Sequence, residues 1–151
     1  MADTGVPTKP TLRIIAANRS EELDRIAGEL GRFAEENDLP MRSAMHLDMS
    51  VEEIVSNVIK YGFDAGDIRD DAVSIDLTLE DDRLAIRIAD SGRPFDPLAD
   101  APLPDIDASV EDRPIGGLGV HIVKTVMAEV RYTRAGDRNI LDMILAIAAP
   151  A

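Results

Sequence analysis

Three short segments hold residue types that could handle a phosphorylated ligand. The first, Glu52 to Phe63 (EEIVSNVIKYGF), sets Glu53 and Asn57 four residues apart. In a helix that spacing puts both side chains on one face. Asn57 offers a neutral oxygen, suited to a Mg²⁺ that keeps several waters and bridges phosphates. Glu53 is a candidate base for a hydroxyl or water whose oxygen lies within ~2.6–3.2 Å. Lys60, a turn further on, could reach a phosphate. The second segment, Ile88 to Pro97 (IADSGRPFDP), ends an apolar run on Asp90, just before Ser91 and Gly92. A carboxylate there can accept a hydrogen bond from the adenine amino group, and hydrogen bonds to charged groups contribute ~1.5–3 kcal/mol. Gly92 would let the chain come close to the base. The third segment, Gly116 to Val120 (GGLGV), opens an apolar helix. Glycines and the free N–H groups of a helix start bind phosphates well. A magnesium nucleotide needs all three kinds of group, so the set points to ATP.

Each segment alone has an ordinary explanation. E-x-x-x-N is a common solvated helix face, D-S-G is usual turn chemistry, and glycines often mark a helix entry. The third segment is neither the G-x-x-x-x-G-K-[ST] loop nor the G-x-G-x-x-G fingerprint. Their order and context give them joint weight. His46 and His121 stand singly on helices with no Cys or second His near them, and Ser56 and Ser91 lack a paired base, so metal binding by the histidines and nucleophilic hydrolysis are set aside.

The elements that must position these groups follow from hydrophobic periodicity. Thr11 to Ala16 reads as a strand. Ser20 is a candidate cap for a helix carrying Leu23, Ile26, Ala27, Leu30, Phe33 and Ala34, which stops at Asn37 to Pro40. A second helix runs from about Met41 to Tyr61 with Met45, Leu47, Ile54, Val55, Val58 and Ile59 on its apolar side, and Gly62 ends it. Val73 to Leu79 and Leu84 to Ile88 alternate as a hairpin around an acidic turn. A helix over Gly117–Glu129 follows, with Leu118, His121, Ile122, Thr125 and Val126 along one side. Strands near Val130–Thr133 and Ile140–Ala148 close the chain. This order predicts an α/β two-layer sandwich: a mixed, mostly antiparallel sheet with helices on one face. Residues 1–10 are expected to form a loose tail and 11–151 one domain. Leu98 to Ile115, rich in Asp and Pro, reads as a lid, since structureless loops over ~12–15 residues are usually functional or disordered.

Composition narrows the function. The 151 residues carry a net charge of −13, which repels nucleic-acid phosphates and argues against direct DNA or RNA binding. An acidic surface could instead steer a basic protein partner. With no Cys there are no disulfides or thiolate sites. No apolar run approaches the ~20 residues of a membrane span, and residues 1–10 lack signal-peptide character. A cytoplasmic protein is expected.

With these motifs placed, the sequence resembles the ATP-binding (Bergerat, GHKL) domain shared by gyrase, heat-shock chaperone ATPases, histidine kinases and mismatch-repair ATPases. Within that group it is most similar to the small bacterial anti-sigma-factor serine/threonine kinases. The resemblance spans about Leu12 to Ile147. It rests on the N box (Glu53 to Phe63), the G1 box (Asp90-Ser91-Gly92 through Phe95-Asp96-Pro97) and the G2 box (Gly116-Gly117-Leu118-Gly119, running into Val120). The resemblance implies that Glu53 is the catalytic base, Asn57 the Mg²⁺ ligand, and Asp90 the adenine reader with Gly92 beside it. Gly117 and Gly119 would lie by the phosphates of ATP, under the lid. It further implies homodimerisation and a STAS-domain antagonist as phosphoacceptor, whose phosphorylation state decides whether a sigma factor is free. The sequence departs from the family at Gly136-Asp137-Arg138-Asn139, which lacks the usual Thr near the adenine. Two further readings stand beside the kinase. One is an ATP-binding regulatory module that sequesters a partner without transferring phosphate; the other is a detached histidine-kinase catalytic domain.

Overall fold

A computed structural model describes residues 9–97, 99 and 117–147, with the side chains of 117–120 left aside. Gly116, the first eight residues and, apart from Ala99, the expected lid lie outside the described residues.

Five strands form one sheet: β1 (Thr11–Ala16), β2 (Val73–Glu80), β3 (Arg83–Asp90), β4 (Glu129–Ala135) and β5 (Arg138–Ala146), in the order β1-β2-β3-β5-β4. All four strand pairs are antiparallel, so among the described residues the sheet is antiparallel throughout rather than mixed. Alternation decides which face is buried. Ile14, Ile75, Leu77, Leu84, Ile86, Ile88, Met143 and Leu145 all point to the helix layer and are at most 2% exposed. The opposite face is polar, with Arg13 paired to Asp76 and Arg87 to Asp142, each at 2.7 Å. A sheet with one dry and one wet face, covered by helices on the dry side, is the two-layer sandwich that the sequence predicts.

Helix α1 (Glu22–Glu36) buries Ile26, Leu30, Phe33 and Ala34. Ser20 does not cap it through its side chain. The N-cap position is Glu21, and Ser20 contributes its carbonyl, which accepts from the Leu23 N–H at 3.1 Å. Helix α2 (Met41–Tyr61) has the predicted bounds and buries Leu47, Val51, Ile54, Val55 and Val58. Met45, expected on that side, is half in water, one turn from the exposed Met41 and Met49.

Helix α3 (Gly117–Val126) ends earlier than its periodicity suggests, and Glu129 begins β4. The Met127 N–H still reaches Val123, but the Ala128 N–H bonds to the Ile144 carbonyl at 2.8 Å, so the sheet takes the chain. The phase of α3 also differs from expectation. Val123 and Met127 are buried, while His121, Ile122 and Thr125 face outward.

Candidate functional site

Antiparallel pairing of β3 with β5 sets Asp90 directly opposite Asn139. Each is 5% exposed. Asp90 Oδ1 accepts from the Gly92 N–H and from Asn139 Nδ2, both at 2.9 Å. Burial pushes the Asp90 carboxyl above its usual range; the bonds from Asn139 and Gly92 and the charges of Arg134 and Arg138 pull the other way. Asp90 Oδ2 has no donor among the described residues. Asp90 itself lines the adjoining cavity.

That cavity is lined by Ile54, Asn57, Val58 and Phe95, by Pro97 and Tyr132, and by the Asp90–Asn139 pair, with Ile88 and Leu141 as apolar floor. At about 20 Å³ it has room for about one water, which needs ~10–15 Å³ of such space, and admits a ring only if the rim side chains move. Phe95 is on that rim and stacks on Tyr61, with ring centroids 5.9 Å apart. A far larger hollow, about 950 Å³, lies over the open sheet face between Arg13, Arg87 and Asp142, and holds none of the candidate residues. Convergent buried polar groups, rather than volume, mark the smaller one as the candidate site.

Glu53 and Asn57 lie one turn apart on α2. Asn57 is 4% exposed and lines the cavity, and its Nδ2 donates to Glu53 Oε1 at 3.1 Å. The amide nitrogen is thereby directed at Glu53, leaving the Asn57 carbonyl oxygen for another partner. Lys60 is exposed at the end of α2, off the cavity wall. Gly117, Leu118, Gly119 and Val120 form the first turn of α3, which packs on α2. The structure thus brings Asn57, Asp90 and Phe95 to one cavity with Glu53 beside it. It leaves Lys60 off the cavity wall.

Gly92 has a structural task that the sequence did not suggest. A Cβ there would come within 2.6 Å of the Gly62 carbonyl oxygen, which accepts from the Arg93 N–H at 2.9 Å. Its bareness serves the contact between the β3 exit and the α2 end. Gly62 itself has φ −83, so it ends α2 without a left-handed cap. A Cβ on Gly62 would meet the Val58 carbonyl at 2.7 Å.

Asn139 is the residue that sequence reasoning undervalued. Its Nδ2 also donates to the Arg93 carbonyl at 2.8 Å. Its Oδ1 accepts from Tyr132 Oη at 2.6 Å and from Phe95 N and Arg134 at 3.2 Å each. Arg134 donates to the Gly92 carbonyl as well, at 2.9 Å. Sequence reasoning named it only as the last residue of the Gly136–Asn139 segment that lacks the family's usual Thr near the adenine.

The family model described as "Histidine kinase-like ATPase domain" matches residues 16–145. The serine-protein kinase RsbW of Listeria monocytogenes serotype 4a is 25% identical over 126 residues, 82% of this chain and 78% of that protein. RsbW of Listeria innocua gives the same figures. Among solved structures, the RsbU and RsbW domains of Rv1364c from Mycobacterium tuberculosis superpose with a TM-score of 0.70 at 14% identity. That match covers 97% of this chain but only 34% of that one, so the chain spans about a third of that structure's length. The histidine kinase domain of the Erythrobacter litoralis EL346 blue-light activated kinase gives 0.53 at 18% identity, over 84% of this chain and 60% of that one. These two structures share the fold. No helix among the described residues is long and apolar enough to cross a membrane.

Proposed function

Because the chain belongs to the histidine kinase-like ATPase domain family, we propose that it is an ATP-dependent serine/threonine protein kinase of anti-sigma-factor type. It would act in the cytoplasm, phosphorylating a STAS-domain antagonist and sequestering a sigma factor when that antagonist is phosphorylated. The observation that carries this reading is the joining of Glu53 to Asn57 at 3.1 Å, with Asn57 on the wall of the cavity that Asp90 also lines. A carboxylate next to a candidate metal ligand, within reach of a base pocket, is what phosphoryl transfer to a hydroxyl requires.

The residues suit the groups they would hold. Asp90 lines a cavity floored by Ile88 and Leu141, and its oxygen not taken by Gly92 and Asn139 would suit an amino group on a flat ring. Gly92 would support this pocket through its backbone contact, and Phe95 would move to admit the base. Asn57 supplies one neutral oxygen. A Mg²⁺ there would be bound mainly by phosphates and water, with Asn57 as a side-chain ligand. When bound, Mg²⁺ would neutralise charge on the phosphates. Gly117 and Gly119, with Leu118 and Val120, would present first-turn N–H groups of α3 to the phosphates. Lys60 would assist from outside the cavity.

In the proposed reaction Glu53 orients the acceptor hydroxyl and takes its proton as the oxygen bonds to the γ-phosphorus. The bond to the bridging oxygen breaks, and ADP leaves. Positioning and charge neutralisation do most of this work. The test uses radiolabelled ATP and STAS-domain partners captured by pull-down in Mg-ATP. Glu53→Gln should abolish label transfer while ATP still binds. Undiminished transfer would remove the base assignment, and a stable complex of wild type, ATP and partner without any transfer would favour a sequestering module instead.

A further inference from the structure

We propose that Asn139 makes the base pocket specific for a 6-amino purine, by fixing which oxygen of Asp90 reads the ligand. This rests on the nucleotide reading above. Both hydrogens of the Asn139 amide are committed. One goes to the Arg93 carbonyl at 2.8 Å, a group that can only accept. That contact fixes the amide's orientation without reference to Asp90. The second hydrogen is then presented to Asp90 Oδ1 at 2.9 Å. The opposite orientation would set the amide oxygen against both a carbonyl and a carboxylate. It would also turn the amide nitrogen toward the Phe95 N–H and Arg134, which are donors.

Asp90 Oδ1 therefore faces two donors, Asn139 Nδ2 and the Gly92 N–H. It has no need of a ligand, and the carboxylate cannot rotate without breaking both bonds. Oδ2 alone remains for the ligand, as an acceptor. It accepts from a 6-amino group and repels the 6-carbonyl of guanine, whose oxygen is also an acceptor. Asn139 reaches no further into the ligand than this, so it is a positioning residue. Its own burial, at 5% exposure, and the Tyr132 hydroxyl at 2.6 Å hold it in place.

The experiment measures dissociation constants of the full chain for ATP, for purine riboside triphosphate, which lacks the 6-amino group, and for GTP. Wild type should prefer ATP over the purine riboside analogue by roughly tenfold to a hundredfold, the weight of a hydrogen bond to a charged group. Asn139→Ala should bring ATP down to the analogue's level while leaving the analogue nearly unchanged. Arg87→Ala, on the wet sheet face away from the cavity, should keep the preference. If N139A does not fold, Asn139→Asp serves instead; it keeps the size, lacks the donor, and should also lose the preference. An equal loss for ATP and the analogue in the variant would mean a merely structural role and overturn the proposal. So would a wild type that binds ATP no better than the analogue, with nucleotide binding itself left standing. A wild type that binds neither ligand would remove the nucleotide reading along with the inference.

Discussion

The two ends of the candidate site are built in different ways. At the base end, Asp90 and Asn139 are buried to 5% exposure and tied by hydrogen bonds to Gly92, Arg93, Phe95, Tyr132 and Arg134. At the reaction end, half-buried Glu53 receives one bond, from Asn57. The first arrangement is part of the protein's interior and is fixed when the chain folds. The second is a pair of side chains on one helix face, of which the half-buried Glu53 is the cheaper to alter in terms of stability. Fold and proposed specificity therefore share the same atoms at one end, while the proposed base, Glu53, is less bound up with the fold at the other.

The comparison can be broken most directly at Glu53. E53Q should lower phosphotransfer by about 10²–10⁴, the usual span for a lost general base, with melting temperature and ATP affinity nearly unchanged. A large drop in melting temperature on calorimetry would show that the reaction end is structural too. Asp90→Asn sharpens the other side. It turns an acceptor oxygen into a donor, so ATP affinity by titration calorimetry should fall roughly tenfold or more. Its stability at pH 7 should not fall, because a desolvated charge has been removed.

The pH dependence of that difference follows from the raised Asp90 carboxyl. A proton binds it more tightly in the folded than in the unfolded state. Its contribution to stability is therefore fully present below the ordinary carboxyl range and is lost as pH rises through the raised folded value. The stability advantage of D90N should appear at neutral pH and vanish in acid, as thermal melts across pH would record. Wild-type ATP affinity should weaken as pH falls into the same raised range, because the protonated carboxyl no longer accepts. Tyr132→Phe should have a smaller effect, about 0.5–1.5 kcal/mol of stability for one hydrogen bond, measured by denaturant unfolding. Smallest of all, Arg87→Ala on the wet sheet face should leave both stability and nucleotide affinity within error, since exposed ion pairs count for little.

Local signals were legible in the sequence, and non-local ones were not. The bounds of α2 and the alternation of β2 and β3 were readable because period and turn chemistry are written within a few neighbouring residues. The end of α3 was misread because a carbonyl on β5, Ile144, captures the Ala128 N–H before periodicity gives out. Asn139 was passed over for the same reason. Its importance comes from standing opposite Asp90 across a sheet pairing that joins residues 49 positions apart. Gly92 was noticed, but for a ligand; its bare backbone is also needed by Gly62. The family resemblance supplied the expected roles of Glu53, Asn57 and Asp90 without supplying what holds the last of them.

The Gly62–Gly92 contact works as the origin of a ruler. It pins the last residue of the α2 cap to the exit of β3, and from there positions along α2 are set by helix rise, ~1.5 Å per residue. Asn57 stands five residues back from Gly62 and Glu53 nine, so the proposed metal ligand and the proposed base fall ~7.5 and ~13.5 Å along the axis from that pin. Adding one residue between Asn57 and Gly62 would shift both groups outward by a single rise and swing them ~100° around the axis. The spacing of Glu53 and Asn57 from the Gly62–Gly92 contact thus resides in a count of residues, with no loop to absorb an error.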